Sequence, residues 1–196
     1  MKDVYSIIPE GSHSKIKEYI ADNDFSIKIS KQRTTKHGDF RKLKNGKFLI
    51  TVNENLNPYQ FLLTLVHEIA HYVTYKKYGA VKPHGIEWKN TFKELMLPFV
   101  NPNIYPNSIL PHLAKYLLNA KASTDSDVHL ALALKQENTD PDKNYIFELR
   151  KGDIFELKNR TFSLLEKKRT RYVCIDLVSK KKYLINQNAE VTPLSK

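Results

Sequence analysis

A single cysteine, Cys174, is all the thiol the 196 residues contain, so neither a disulfide framework nor a four-thiolate metal site can form within the chain. A lone thiol fits a reducing compartment, and a cytoplasmic location is expected. Long apolar runs are also missing. Mean hydropathy is −0.50, and no stretch has the length to cross a bilayer, so no membrane association is expected. The amino-terminal MKDVYSIIPEGSHSKIKEYI carries charges and a proline where a secretory leader needs an apolar run. Negative charge is in deficit: 32 Lys and Arg face 21 Asp and Glu, for a net +11. The surplus is uneven, at +4 over residues 1–56, +1 over 57–146 and +6 over 147–196. A phosphate backbone is the commonest partner for such excess, although lysine-rich surfaces also serve solubility alone. An apolar fraction of 41% suffices for a packed core, and the length suits one ordinary domain plus a small appendage.

Against these absences stands one chemically dense stretch, residues 57–89, which contains His67-Glu68-Ile69-Ala70-His71. On a helix, side chains four apart lie one turn above each other, so His67 and His71 can present two imidazoles to one metal ion. Glu68 lies beside them as a base for an activated water. The flanks predict that helix over about 58–78. Asn57 is a good N-cap, Pro58 suits the first helical position, and Gly79 suits the C′ position after Lys76 and Lys77. Leu62, Leu63, Val66, Ile69, Ala70 and Val73 form a wide apolar stripe between the caps. A turn then leads to Lys82-Pro83-His84-Gly85-Ile86-Glu87-Trp88. A loop led by Pro83 and released by Gly85 can fold His84 back over the first helix. A second helix is expected over about 86–96, with Trp88, Phe92 and Leu95 on one face.

The motif, the Tyr75–Gly79 linker and the Pro83-His84-Gly85-Ile86-Glu87-Trp88 context resemble the SprT-like metalloprotease family, which includes bacterial SprT and the DNA–protein crosslink protease Spartan. The resemblance is dense over about residues 45–97. It implies an α+β, zincin-like metalloprotease domain over residues 1–140, with one catalytic Zn²⁺ on His67, His71 and His84. Glu68 would be the catalytic acid/base, and the substrates proteins or peptides on or near DNA, single-stranded or structured. The rival reading is a nucleic-acid-binding module whose zinc site is structural or weakly active. An intact Glu68 favours the enzyme, since a structural site has no use for a base.

Upstream, residues 12–23 read as a short helix capped by Ser12, and Phe25, Ile27 and Ile29 alternate as a half-buried strand. Residues 33–52 read as a hairpin with a type I′ turn at Asn45-Gly46. Its polar face carries Arg33, Lys36, Arg41, Lys42 and Lys44, with Phe40 interleaved, a pattern that can grip phosphates and stack on a base. A solvated face is an equal reading. In zincins such a sheet lies beside the motif helix, where an edge strand can pair with an extended peptide. Which strand forms the edge is open in the sequence, and so is the oligomeric state.

Downstream, four prolines in LPFVNPNIYPNSILP predict an irregular connection over the domain surface, followed by short helices over Leu110–Leu118 and after Ser123–Asp127. Gln136–Asn144 reads as a linker. Residues 145–196 alternate apolar and polar residues in three to five short strands, an all-β module. SprT proteins often carry a zinc ribbon here. With Cys174 alone, the module reads as a ribbon-like relic without metal, and the cysteine as a buried thiol. Lys167, Lys168, Arg169, Arg171, Lys180, Lys181 and Lys182 form clusters able to bind phosphate.

Overall fold

Residues 3–33, 36–121, 127–138, 144–187 and 189–194 are described by the computed structural model, and among them the chain is α+β, with five α-helices and two sheets. They fall into two units, Met1–Glu137 and Asn138–Lys196. No helix among the described residues is long and apolar enough to cross a membrane.

The first unit opens with single 3-10 turns at Val4–Ser6 and Glu10–Ser12 and helix α1, His13–Ala21. Ser12 occupies the N-cap of α1, but its hydroxyl donates to the Pro9 carbonyl at 2.5 Å instead of capping. Three strands follow: β1, Phe25–Ser30; β2, Gly38–Lys42; and β3, Phe48–Asn53. Their order is β1-β3-β2, with β3 parallel to β1 and antiparallel to β2. The hairpin forms at Asn45-Gly46, though not as a type I′ turn. Of the two residues only Gly46 has positive φ, at 83°. Gly46 N–H donates to Leu43 O at 3.0 Å and Leu43 N–H to Lys47 O at 2.7 Å, the pattern of a type I turn closed by a left-handed glycine.

Helix α2, Pro58–Tyr78, runs as its caps predict. The Asn57 side chain accepts the Gln60 N–H at 2.9 Å, and Gly79 closes the other end at φ 73°. Thirteen of the 21 residues of α2 are buried, so the helix is the centre of the core and not a surface helix with one apolar stripe. Around it pack β3 (Ile50, Val52), α3 (Ile86–Met96; Trp88, Phe92), α4 (Leu110–Leu118; Leu113) and α5 (Val128–Lys135; Leu130, Leu134). Asn57 Nδ2 also donates to the Leu134 carbonyl at 2.7 Å, tying the start of α2 to α5. The proline-punctuated connection is not superficial as expected from its sequence. Phe99, Ile104, Tyr105 and Ile109 are buried, because the prolines interrupt helix without removing apolar surface that must leave water. Asp127 caps α5 by accepting the Leu130 N–H at 3.1 Å, whereas Ser123–Ser126 of the expected capping stretch, and 139–143 of the expected linker, lie outside the described residues.

The second unit is a six-stranded, wholly antiparallel sheet in the order β4-β9-β5-β6-β7-β8. Its strands are β4 (Asn144–Tyr145), β5 (Ile154–Leu157), β6 (Arg160–Lys168), β7 (Arg171–Asp176), β8 (Lys182–Asn186) and β9 (Glu190–Pro193). One of them, β4, has two residues and is too short to show an alternating pattern in sequence. Ile146, Phe155, Phe162, Leu164, Tyr172, Cys174, Ile185 and Val191 form the core. Cys174 is a buried thiol, pushed up to about 11 by burial.

Candidate metal centre and active-site cleft

The motif lies in the second half of α2, and helical spacing stacks His71 one turn above His67. His84 arrives from the 79–85 loop and closes the set. Its own backbone is left-handed, at φ 57°, so the histidine makes the turn that the sequence reading gave to Gly85. Gly85 has an ordinary φ of −70°. It is needed for space, since a Cβ there would meet the Lys82 carbonyl at 2.9 Å.

The three Nε2 atoms form a triangle with sides of 3.2 Å (His67–His71), 2.9 Å (His71–His84) and 3.2 Å (His67–His84). Nitrogen ligands at about 2.0–2.1 Å from a tetrahedral ion lie roughly 3.3 Å apart, so these residues can hold one metal ion and leave its fourth position open. Among the described residues this is the only group of three or more His, Cys, Asp or Glu side chains so placed. The electrostatics agree with the geometry. Burial, and then repulsion from His71 and His84, holds His67 well below the usual histidine value. Burial, then His84, lowers His71 to about 4, and burial lowers His84. All three are neutral imidazoles near pH 7, the form that donates a lone pair to a metal.

Trp88 supports the cluster. Its ring centroid lies 4.6 Å from those of His67 and His84 and 5.2 Å from that of His71, and its other neighbour is Phe92, stacked at 4.9 Å. Sequence periodicity marks Trp88 as a core residue of α3 but cannot show that three histidines rest on it.

Glu68 is buried at 6% exposure. Burial, then the nearby Asp39 carboxylate, raises it to about 8, against opposing pulls from Arg33, Lys36 and the Phe40 N–H, which donates to it. That donor identifies the strand at the site. Leu43 bonds to Lys47 and Asn53 to His37 across the hairpin, so residues 39, 41 and 43 turn their backbone groups toward β3. Residues 38, 40 and 42 therefore turn theirs outward, and β2 is the edge strand flanking Glu68. A cleft of about 420 Å³ lies between this edge and the 79–84 loop, floored by His67, Glu68, His71, Thr74, Tyr75 and Trp88.

The basic residues of the hairpin are not one outward ribbon. Arg33 folds inward, donating from Nε to Asn53 Oδ1 at 2.7 Å and from Nη1 to Thr51 Oγ1 at 3.0 Å. Lys36 and Arg41 pair with Asp39 at 2.6 and 3.4 Å. Lys42 lies 6.0 Å from the Phe48 ring centroid and 5.9 Å from that of Tyr75, and Lys44 is exposed in the turn. Phe40 is packed against Phe48, Tyr72 and Tyr75, with its ring on the cleft wall. In the second unit Lys167, Lys168, Arg169 and Arg171 gather at the β6–β7 turn, and Lys180, Lys181 and Lys182 at the β7–β8 turn. Strand β7 separates the two groups by roughly 17–20 Å, so they are two cationic ends.

Comparison with known proteins gives the same affiliation as the site. The chain is 45% identical over 40 residues to Protein SprT of Vibrio parahaemolyticus, covering 20% of this chain and 24% of that protein. It is 34% identical over 70 residues to Protein SprT of Pasteurella multocida, covering 31% and 42% respectively. Protein SprT of Glaesserella parasuis is 50% identical over 30 residues, 15% of this chain and 19% of that protein. The matches thus span less than half the length of these relatives. No solved structure matches significantly. Residues 10–106, which hold the three-stranded sheet, the motif helix and the third histidine, match the SprT-like family, and through them the chain belongs to it.

Proposed function

We propose that the chain is a zinc-dependent endopeptidase of the SprT type, with a zincin-like domain over residues 1–140, acting on proteins attached to or lying near DNA. The observation that carries this reading is the junction of a three-imidazole cluster and a buried carboxylate on one cleft. A purely structural metal site needs no buried carboxylate beside it.

His67, His71 and His84 would hold the ion, and zinc there would supply Lewis acidity toward a scissile carbonyl and a water. The chain's own residues do the rest. Burial keeps the three imidazoles neutral and fixed by Trp88. Glu68, hydrogen-bonded to the Phe40 N–H, is held high by burial in the metal-free site, and a cation on the three histidines would favour its ionised form. As a carboxylate it takes a proton from the attacking water and returns it to the departing amine. The outward Phe40 carbonyl and Lys42 N–H of β2 can pair with an extended peptide, while Phe40, Tyr75 and Val81 offer an apolar wall to one of its side chains. The DNA part of the reading rests on the net +11 charge, the exposed Lys42 near the cleft residue Tyr75, the exposed Lys44 in the hairpin turn, and the two cationic ends of the 145–196 module. One buried thiol and no membrane-crossing helix among the described residues suit the proposed cytoplasmic setting.

The test is cleavage of core histones by the zinc-loaded chain, with and without single-stranded DNA, beside Glu68→Gln. Cleavage that DNA stimulates and that falls by at least about 10²-fold in the variant, with zinc still bound, is expected. Zinc binding without cleavage in either condition would replace the enzyme by the nucleic-acid-binding module.

A further inference from the structure

We infer that Gly38 is a positioning residue: it is the notch in edge strand β2 that seats the Glu68 carboxylate. The inference rests on the proposed role of Glu68 and names the part of the fold that holds that side chain in place.

Gly38 is the first residue of β2 and pairs with Val52 of β3. Its φ is outside the left-handed region that requires glycine elsewhere, at Gly46, Gly79 and Gly152. Backbone freedom is therefore not the reason for a glycine here. Space is. A Cβ at position 38 would lie 2.5 Å from Glu68 Oε1, 2.7 Å from Glu68 Cγ and 2.8 Å from Thr64 Cγ2, all well inside van der Waals contact. Glycine within a strand commonly marks such a close approach. Because residues 38 and 40 turn their backbones the same way, outward from the sheet, one stretch of edge does two things. Gly38 yields the room in which the Glu68 chain lies, and Phe40 donates its N–H to the carboxylate. Any side chain at 38 must push the carboxylate off that donor or push the strand away from α2. Thr64 is on α2 one turn before Glu68, and Thr64 and Glu68 are both buried, so the helix side has little room to yield. A displacement of about 1 Å in a reacting group is enough to lose roughly 10²-fold in rate.

The experiment uses Thr64→Ser as its background, which allows the non-catalytic contact to relax and leaves Glu68 as the group that a new Cβ strikes. In that chain Gly38→Ala is expected to lower kcat on histones by about 10²-fold, with KM within about threefold and zinc stoichiometry unchanged. Adding Glu68→Ala removes both the Cγ and the Oε1 that a new Cβ would strike, and there Gly38→Ala is expected to leave the melting temperature within about 1 °C, whereas with Glu68 present it lowers it. An unchanged kcat with Glu68 present, or the same loss of melting temperature in both backgrounds, overturns the inference while leaving the peptidase reading standing. Should the zinc-loaded wild type cleave nothing, the peptidase reading fails, and melting temperatures still decide the contact. Gly38→Ala must then lower the melting temperature with Glu68 present and not with Glu68→Ala, and equal losses would sink it.

Discussion

Replacing His84 with asparagine isolates the third ligand from the fold. His84 is half-buried and left-handed at φ 57°, a backbone that asparagine adopts more readily than most side chains. The metal-free variant should therefore keep wild-type stability within about 0.5 kcal/mol. What disappears is one corner of the Nε2 triangle, leaving the 3.2 Å pair of His67 and His71. With free zinc held at 100 times the wild-type Kd, binding stabilises the folded chain by about 2.7 kcal/mol. For a unit of this size that is roughly 10 °C in melting temperature. Removal of one of three ligands should weaken binding by at least about 100-fold, which at the same zinc concentration leaves about 0.4 kcal/mol, or some 2 °C. Differential scanning fluorimetry with a zinc buffer measures both numbers on the same samples. A variant that keeps the full zinc-dependent rise would show that His84 is not a ligand. A variant already destabilised without zinc would show that the loop needs the imidazole for packing.

Other outcomes follow from single contacts. Asn57→Ala removes the α2 N-cap and the hydrogen bond to the Leu134 carbonyl, together costing about 2 kcal/mol. Urea denaturation should show this as a lower midpoint at unchanged m, and a loss below about 0.5 kcal/mol would mean that α5 and the helix start are not coupled through Asn57. The metal-free chain should lose stability as pH falls from about 6.5 toward 4, because His71 titrates near 6.5 when unfolded and at about 4 when folded. The unfolded state binds the extra proton in that window, so His71→Asn should flatten this part of the profile, and an unchanged slope would refute the burial argument. In the second unit, Asp176 is held down to about 2, chiefly by the Ser179 N–H, with the Arg160 side chain and the Val178 N–H adding to it. Its stabilisation is present above about pH 4 and is lost as pH falls toward 2, so Asp176→Asn should remove that part of the acid limb; a wild-type limb in the variant would exclude Asp176 as its source.

What the sequence determined by itself is what short-range chemistry controls. Helix α2 was legible to the residue, because Asn57, Pro58 and Gly79 act on backbone groups within one turn of themselves. The grouping of His67, Glu68 and His71 follows from helical pitch alone. Strands β5 to β8 were legible from inside–outside alternation, whereas β4, at two residues, is too short to alternate and is defined by its pairing with β9. Tertiary structure decided everything that depends on groups far apart in the chain meeting. It makes His84 itself the left-handed turn residue, buries Ile104, Tyr105 and Ile109 despite their prolines, and turns Arg33 inward onto Asn53 and Thr51. It makes β2 the edge beside Glu68, because β3 takes the centre by pairing on both sides. Gly38 shows the division most plainly. Nothing in the sequence singles out this first residue of β2, and only the packing of β2 against α2 reveals that the Glu68 carboxylate approaches it.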